Sequence, residues 1–129
     1  MGFLDDIATY LEDTGHGSRG TNMFIGFRPP KPDSAVTLYE YAGIPPQTLV
    51  EAERPGLQIT VRTTKGTNDY QTGKATTKAI TDELHDTKNI LINGTRYTHI
   101  VARQSPFPMG RDESGRPIFA VNFDVKKDR

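Results

Sequence analysis

Asn93 and Gly94 are the residues that most restrict how this chain can fold, because they separate two short strand-like runs. Ile90-Leu91-Ile92 precedes them and Thr95-Arg96-Tyr97 follows them. An Asn-Gly pair supplies the two positive φ angles that a two-residue type I′ turn requires. The sequence therefore predicts a β-hairpin here, whose second arm continues to about residue 104.

Alternation of apolar and polar residues predicts further strands. Residues 57–62 and 119–125 alternate strictly, which is typical of strands with one buried face and one solvated face. Shorter runs predict strands at 23–27 and 35–41, and residues 50–54 are expected to form an approach segment. Gly43-Ile44-Pro45-Pro46 is predicted to be a rigid corner that ends strand pairing.

Two segments have helical periodicity. Residues 3–12 place their apolar side chains three and four positions apart, as on one face of a helix. From about residue 69 to residue 86 the apolar residues also recur with a period near 3.6 residues. The predicted fold is α+β, with a twisted, mainly antiparallel sheet of five or six strands flanked by one long and one short helix. We expect a single domain over residues 1–129. Three polar connections are predicted to be surface loops: 13–22, 63–69 and 105–116.

Composition limits the classes of function. The 129 residues include 16 Lys and Arg and 16 Asp and Glu, so the formal net charge is zero. A chain without net charge has no overall electrostatic attraction to a phosphate backbone or an anionic bilayer. We therefore expect neither specific nucleic-acid binding nor a membrane partner. Cysteine is absent, which excludes disulfides, thiolate nucleophiles and cysteine-ligated zinc. Asp5 and Asp6 stand where a signal peptide would be basic, so an unsecreted chain is expected.

Motifs for cofactors and catalysis give no strong match. The run from Gly66 to Ala75 departs from a phosphate-binding loop, since Gly66 is two positions early and Ala75 offers no hydroxyl. We therefore predict no cofactor, no catalytic residue and no metal. Asp82, His85 and Asp86 could supply hard-metal ligands, but a solvated helix face explains them better.

Asp112 and Glu113 are a second acidic candidate, in a loop that lacks the ligand spacing of an EF-hand. Either acidic cluster could hold the metal of a small metal-dependent hydrolase. This function, from a different class, is kept as an alternative. The chain has no plausible nucleophile-base pair. Binding or assembly is therefore the favoured class of function, and the chain is predicted not to be an enzyme.

Several short motifs follow one another in an order that one viral family shares. They are Pro55-Gly56-Leu57-Gln58-Ile59-Thr60-Val61-Arg62, the helix from Tyr70 to Asp86, Asn93-Gly94-Thr95-Arg96-Tyr97, Ser105-Pro106, Gly110-Arg111-Asp112-Glu113 with Arg116, and Asn122-Phe123. Because it carries these motifs in this order, the chain resembles the minor capsid or tail terminator (tail completion) proteins of long-tailed bacteriophages. The resemblance covers about residues 50–126 well and the preceding part more loosely.

The resemblance implies a structural protein of the virion tail and neck, assembled in the cytoplasm of the bacterial host. Proteins of this family form a hexameric ring that caps the tail tube and stops its polymerisation. The implied partners are identical subunits, the tail tube protein and the head-completion or connector protein. Genome DNA would pass through the ring without specific binding. Another head-tail joining protein, such as a head-completion or stopper protein, is the nearest alternative.

A cyclic hexamer uses a heterologous interface, in which one surface of each subunit meets a different surface of the next. We predict that the hairpin and the 105–116 loop form one side of it, through Asn93, Gly94, Arg111, Asp112, Glu113 and Arg116. The two arginines are expected to pair with acidic residues of a neighbour. Contacts along the ring axis are predicted for two other loops, through His16, Ser18, Arg19, Lys65 and Asn68.

Overall fold

The computed structural model describes residues 2–44 and 52–128, with the side chains of 42–44 left out. This part of the chain contains two helices and seven strands. In chain order they are α1 (Phe3–Asp13), β1 (Met23–Ile25), β2 (Ala35–Ile44), β3 (Ala52–Arg62), α2 (Asp69–Leu84), β4 (Thr87–Ile92), β5 (Thr95–Ala102), β6 (Phe107–Arg111) and β7 (Pro117–Asp128).

The strands form one sheet in the order β1-β2-β3-β7-β5-β4, with β6 also paired to β7. Among the pairs formed by the described strands, β1–β2 alone is parallel. Strand β7 is long enough to hold two partners along one side. Its first residues pair with β6, as in Phe107 opposite Ala120, and its later residues pair with β5, as in Ala102 opposite Phe123. The predicted α+β class is confirmed, but the sheet has seven strands instead of five or six.

Both helices pack on the same face of the sheet. The core joins Ile7 and Leu11 of α1 and Ile80 and Leu84 of α2 to alternate strand residues such as Ile59, all with zero exposure. Within residues 2–44 and 52–128 the opposite face carries no helix, and we call it the helix-free face. None of the described helices is long and apolar enough to cross a membrane.

Helix α2 lies close to the sheet because Gly73 faces β7. A Cβ atom on Gly73 would stand 2.9 Å from the ring of Phe119. Tyr70, in the first turn of this helix, is 44% exposed and meets Phe119 edge-on, with ring centroids 5.0 Å apart. Thr76 is exposed, whereas Thr77 and Thr81 of the same helix are buried.

The structure corrects the prediction of a solvated outer face on β3. Thr60 and Arg62 are only 2% and 3% exposed, although both belong to the polar half of the alternation. Arg62 is covered because the segment before β2 folds back over it, as shown by its bonds to Pro29, Pro32 and Asp33. Alternation in the sequence cannot reveal a covering loop that comes from elsewhere in the chain.

Element ends also differ from the predictions. Strand β1 ends at Ile25 and is followed by Gly26 with φ 82, and β2 continues to Ile44, inside the predicted corner. Pro45 and Pro46 lie outside the described residues. The predicted 105–116 loop contains β6, which was missed because prolines and Gly110 interrupt it. Helix α2 ends at Leu84, two residues early, and β4 begins at Thr87, three residues early.

Candidate assembly surface

Three connecting segments meet at one end of the sheet and form what we call the loop junction. It comprises residues 28–34, 63–69 and 112–116, which lie where β2 and β7 begin, β3 ends and α2 begins. Three arginine side chains, Arg62, Arg111 and Arg116, hold these segments together. The junction is therefore a built structure and not a set of independent loops.

Arg62 organises the proline-rich segment of the junction. Its Nε donates to the carbonyl of Asp33 at 2.9 Å, and one terminal nitrogen donates to the carbonyls of Pro29 and Pro32 at 2.8 and 2.6 Å. Burial lowers the pKa of the Arg62 guanidinium, and the nearby charge of Arg116 lowers it further. All three acceptors are neutral carbonyl groups. The positive charge of Arg62 at the base of the junction is therefore not neutralised by these hydrogen bonds.

Arg116 joins the proline-rich segment to the turn before β7. Its Nε donates to Asp112 at 2.7 Å, and Nη1 donates to the carbonyl of Pro30 at 2.6 Å and to Asp33 at 3.0 Å. Asp112 also accepts from the backbone N–H of Ser114 and of Arg116. Burial alone would raise the pKa of Asp112, but these hydrogen bonds and the arginine charge bring it below its usual value. Arg116 is only 8% exposed.

Arg111 ties β6 to the start of α2. Its two terminal nitrogens bind the two carboxylate oxygens of Asp69 at 2.7 and 3.0 Å, and one of them also donates to the carbonyl of Gly115. The same carboxylate accepts the backbone N–H of Gly66. The Arg111 hydrogen bonds hold the pKa of Asp69 well below its usual range. A two-point ion pair of this kind fixes both partners in direction as well as in distance.

The hairpin lies at the other end of the sheet. Asn93 and Gly94 have φ angles of 50° and 83°, which confirms the predicted positive-φ turn. Asn93 Nδ2 donates to Asp6 at 3.0 Å, and the hydroxyl of Tyr97 donates to the other oxygen of Asp6 at 2.6 Å. Burial, with the carboxylate beside it, raises the pKa of Tyr97. This network attaches α1 to the hairpin.

The six predicted interface residues therefore fall into two groups. Tyr97 pairs with Lys127 near the end of β7, whereas Arg111 pairs with Pro117 at its beginning, so the groups occupy opposite ends of the sheet. Arg111 and Arg116 both bind carboxylates of their own chain. Glu113, by contrast, is exposed in the turn. Contact with a neighbouring subunit stays a prediction for all six.

The predicted axial residues are also divided. The 13–22 segment is closely hydrogen-bonded: the carbonyl of Ser18 accepts three backbone N–H groups, and Arg19 binds Asp5 and Glu12. His16 lies 3.0 Å from Glu83 in the last turn of α2. Lys65 and Asn68 precede the first turn of that 16-residue helix, about 24 Å away along its axis. The two predicted axial groups therefore do not form one patch.

The three residues considered as hard-metal ligands each bind a different partner within the chain. Asp82 pairs with Lys78 at 2.7 Å, His85 Nδ1 accepts the backbone N–H of Ala102, and Asp86 lies 2.7 Å from His99 Nε2. Hydrogen bonding with His99 lowers the pKa of Asp86. Within residues 2–44 and 52–128, no group of three or more potential ligands is close enough to hold a metal ion.

Strand edges at the margins of the sheet are interrupted. The outer edge of β1 is occupied by its own chain, since Met23 bonds to Ser18 and Gly20. Asn89 with φ 52 disturbs β4, and Pro108 and Gly110 disturb β6. Such features oppose strand addition by another chain. Side-chain contacts are therefore better suited than strand pairing to bind another chain.

The sequence did not reveal the side chains that the fold leaves at the surface. Phe27, Leu91 and Met109 are 64%, 73% and 52% exposed. Leu91 precedes the hairpin turn and was predicted as part of a strand, but its outward position depends on which face of the sheet the helices cover. The hydroxyls of Thr37 and Thr60, opposite each other on the helix-free face, are buried without a hydrogen-bond partner in the described part of the chain.

Comparison with known proteins gives one family. The sequence profile described as "Bacteriophage tail terminator protein" matches residues 10–129. A search of curated proteins found no match. Among solved structures, one similar chain shares 14% sequence identity, with a TM-score of 0.47, over 95% of this chain and 89% of that one.

Proposed function

Because the chain belongs to the bacteriophage tail terminator protein family, we propose that it forms a ring on the end of the phage tail tube. The ring blocks the addition of further tube subunits, and its other face receives the head-completion or connector protein. The observation that carries this proposal is the family match, which includes all the described strands, α2 and the whole loop junction.

The structure supports a ring built through side-chain contacts. A heterologous contact needs two different surfaces on one subunit, and the hairpin and the loop junction lie at opposite ends of the sheet. Arg111, Asp112 and Arg116 then act by fixing the shape of the junction, and Glu113 is one of the exposed charges that it presents. We propose six subunits per ring, as the resemblance implies.

The remaining predicted contacts fit the two axial faces of such a ring. The hydrogen-bonded segment at 13–22 and the 63–69 segment lie at opposite ends of α2, so each is available to a different partner. We assign His16, Ser18 and Arg19 to one axial face and Asn68 to the other, where they would meet the tail tube protein and the connector protein, whereas Lys65 belongs to the contact between subunits. Zero net charge suits a ring through which genome DNA passes without being held.

Polymerisation of the tail tube tests the proposal. Purified tube protein of the same phage is allowed to polymerise with and without this chain, and tube lengths are measured in negative-stain images. We expect growth to stop on addition, with six-fold density at one tube end. Unchanged tube growth would refute the terminator function. Binding to heads and not to tubes would identify the chain as another head-tail joining protein.

A further inference from the structure

A basic cleft opens on the surface of the loop junction. It has a volume of about 260 Å³, and its lining includes Lys31, Lys65 and Arg116. The Lys31 side chain is 83% exposed and reaches only Asp33, at 3.4 Å. Lys65 takes part in no ion pair within residues 2–44 and 52–128. Two lysine charges at the mouth are therefore available to an outside group.

The junction as a whole has more positive than negative charges. The three segments themselves hold four cations and four carboxylates, and Arg62 and Arg111, whose side chains bind into the junction from β3 and β6, bring an excess of two positive charges. The cations are Arg28, Lys31, Arg62, Lys65, Arg111 and Arg116, and the carboxylates are Asp33, Asp69, Asp112 and Glu113. Arg62 contributes to this excess because it bonds to carbonyl groups.

The opposite charge collects where the two helices end. His16 follows α1 and contacts Glu83, which brings the last turns of α1 and α2 together. Neither last turn contains a basic residue. Carboxylates at a helix C-terminus add to the negative pole of the helix dipole, an arrangement that normally costs stability. Five carboxylates, which we call the acidic helix ends, lie here: Glu12, Asp13, Asp82, Glu83 and Asp86. Arg19, Lys78 and Lys88 pair with three of them, so the five carboxylates stand against three cations and an excess of two negative charges remains.

We propose that the basic cleft of one subunit receives the acidic helix ends of a second copy of this chain. The inference rests on the proposed function, because repetition of this contact is what would close the ring. It commits to a second copy because the complementary surface is present on the same chain, and because two unlike patches give a head-to-tail contact. Equal numbers of positive and negative charges permit this match without a net charge.

Charge exchange provides the test. Lys31→Glu with Lys65→Glu makes the cleft acidic, and Asp13→Lys with Asp82→Lys makes the helix ends basic. These four side chains are exposed or at the surface, so folding should persist, and circular dichroism checks it. Arg54→Glu with Lys126→Glu is the control of equal charge change, since these residues line a separate cleft that contains no residue of either patch.

Self-association of each protein is measured by analytical ultracentrifugation at about 50 mM and about 500 mM salt. We expect the wild type and the control to associate at low salt and to weaken at high salt, because screening shortens the reach of surface charges. Each reversed variant alone should associate at least about tenfold more weakly. An equimolar mixture of the two reversed variants should recover association, since each then meets an opposite charge.

Three results would overturn the inference. The first is a wild type that stays monomeric at low salt, and the second is self-association that neither charge reversal weakens. The third is a mixture of the two reversed variants that does not recover self-association. Binding of duplex DNA to the cleft without self-association would also overturn it, and fluorescence anisotropy detects this outcome. If the Lys31→Glu, Lys65→Glu protein still stops tube growth through a ring, the inference fails while the proposed function stands. If the wild type does not stop tube growth, the proposed function fails.

Discussion

Gly73 sets the distance between α2 and the sheet. A side chain there meets the Phe119 ring, which is 1% exposed and has no room to move away. We predict that Gly73→Val lowers the free energy of unfolding by about 1–3 kcal/mol, as overpacking of a close contact does. Valine is only slightly better than glycine in a helix, so its propensity cannot offset the clash.

Urea unfolding measures this effect, and Gly66→Ala is its control. A Cβ atom on Gly66 would meet nothing within 4 Å, so alanine there should leave stability unchanged or raise it slightly. Equal effects of the two substitutions would show that Gly73 has no packing role.

Tyr97 makes stability sensitive to alkaline pH. Its pKa is raised in the folded protein by burial and by Asp6, so above about pH 10 the unfolded chain loses a proton that the folded chain keeps. Stability from this group is complete below pH 10 and falls as pH rises, by at most about 1.4 kcal/mol per pH unit. We predict that Tyr97→Phe removes this slope and costs about 1–3 kcal/mol at pH 7, because Asp6 loses a donor.

The slope is obtained from urea midpoints between pH 8 and pH 11. Tyr10→Phe is the matched control, since Tyr10 is also on the α1 side of the molecule but is only half-buried. It should leave the alkaline slope of the wild type intact. A Tyr97→Phe protein with an unchanged slope would contradict the assignment.

Strand β6 depends on one ion pair for its attachment to α2. Its ladder with β7 is interrupted between Pro108 and Arg111, so Arg111 and Asp69 supply the fixed point at that end. We predict that Arg111→Ala speeds hydrogen exchange of residues 109–116 while α2 beyond its first turn stays protected. Arg96→Ala, at another surface ion pair, should not change exchange in this segment. Uniform loss of protection would mean that the pair stabilises the whole fold and not β6.

The elements that could be predicted are those set by neighbouring residues. The Asn93-Gly94 turn follows from local φ requirements, and α1 and α2 follow from apolar spacing. Strand β6 could not be predicted, because its pairing with Ala120 depends on a distant segment and Pro108 disfavours a strand locally.

The loop junction has the same limitation. Arg62 lies in a strand that alternation predicts correctly, yet its three acceptors are about 30 residues away in sequence. Arg111 and Arg116 were predicted to pair with acidic residues of a neighbour, and the carboxylates of their own chain that bind them, Asp69 and Asp33, cannot be chosen among sixteen acidic residues without the fold. A sequence shows which side chains can form ion pairs, and the topology decides which pairs form.

At the scale of the whole molecule, one end of the sheet is held largely by ionised carboxylates. The pKa values of Asp33, Asp69 and Asp112 are all lowered in the folded protein. For Asp33 the charge of Lys31 is the main cause, and for Asp69 the Arg111 bonds are. A lowered pKa gives stability that is complete above the unfolded value of about 4 and is lost as pH falls below it.

We therefore predict that acid loosens the loop junction before the hairpin end of the molecule. Hydrogen exchange at about pH 3 should show earlier loss of protection in 63–69 and 112–116 than in the hairpin strands 90–97. Asp69→Asn should lower stability at pH 7 and reduce the fall between pH 5 and pH 3, because the amide has no proton to gain. Exposed Asp82→Asn is the control and should preserve the acid slope. Simultaneous loss of protection at both ends would show that the junction does not open independently, and that its ion pairs stabilise the fold only as a whole.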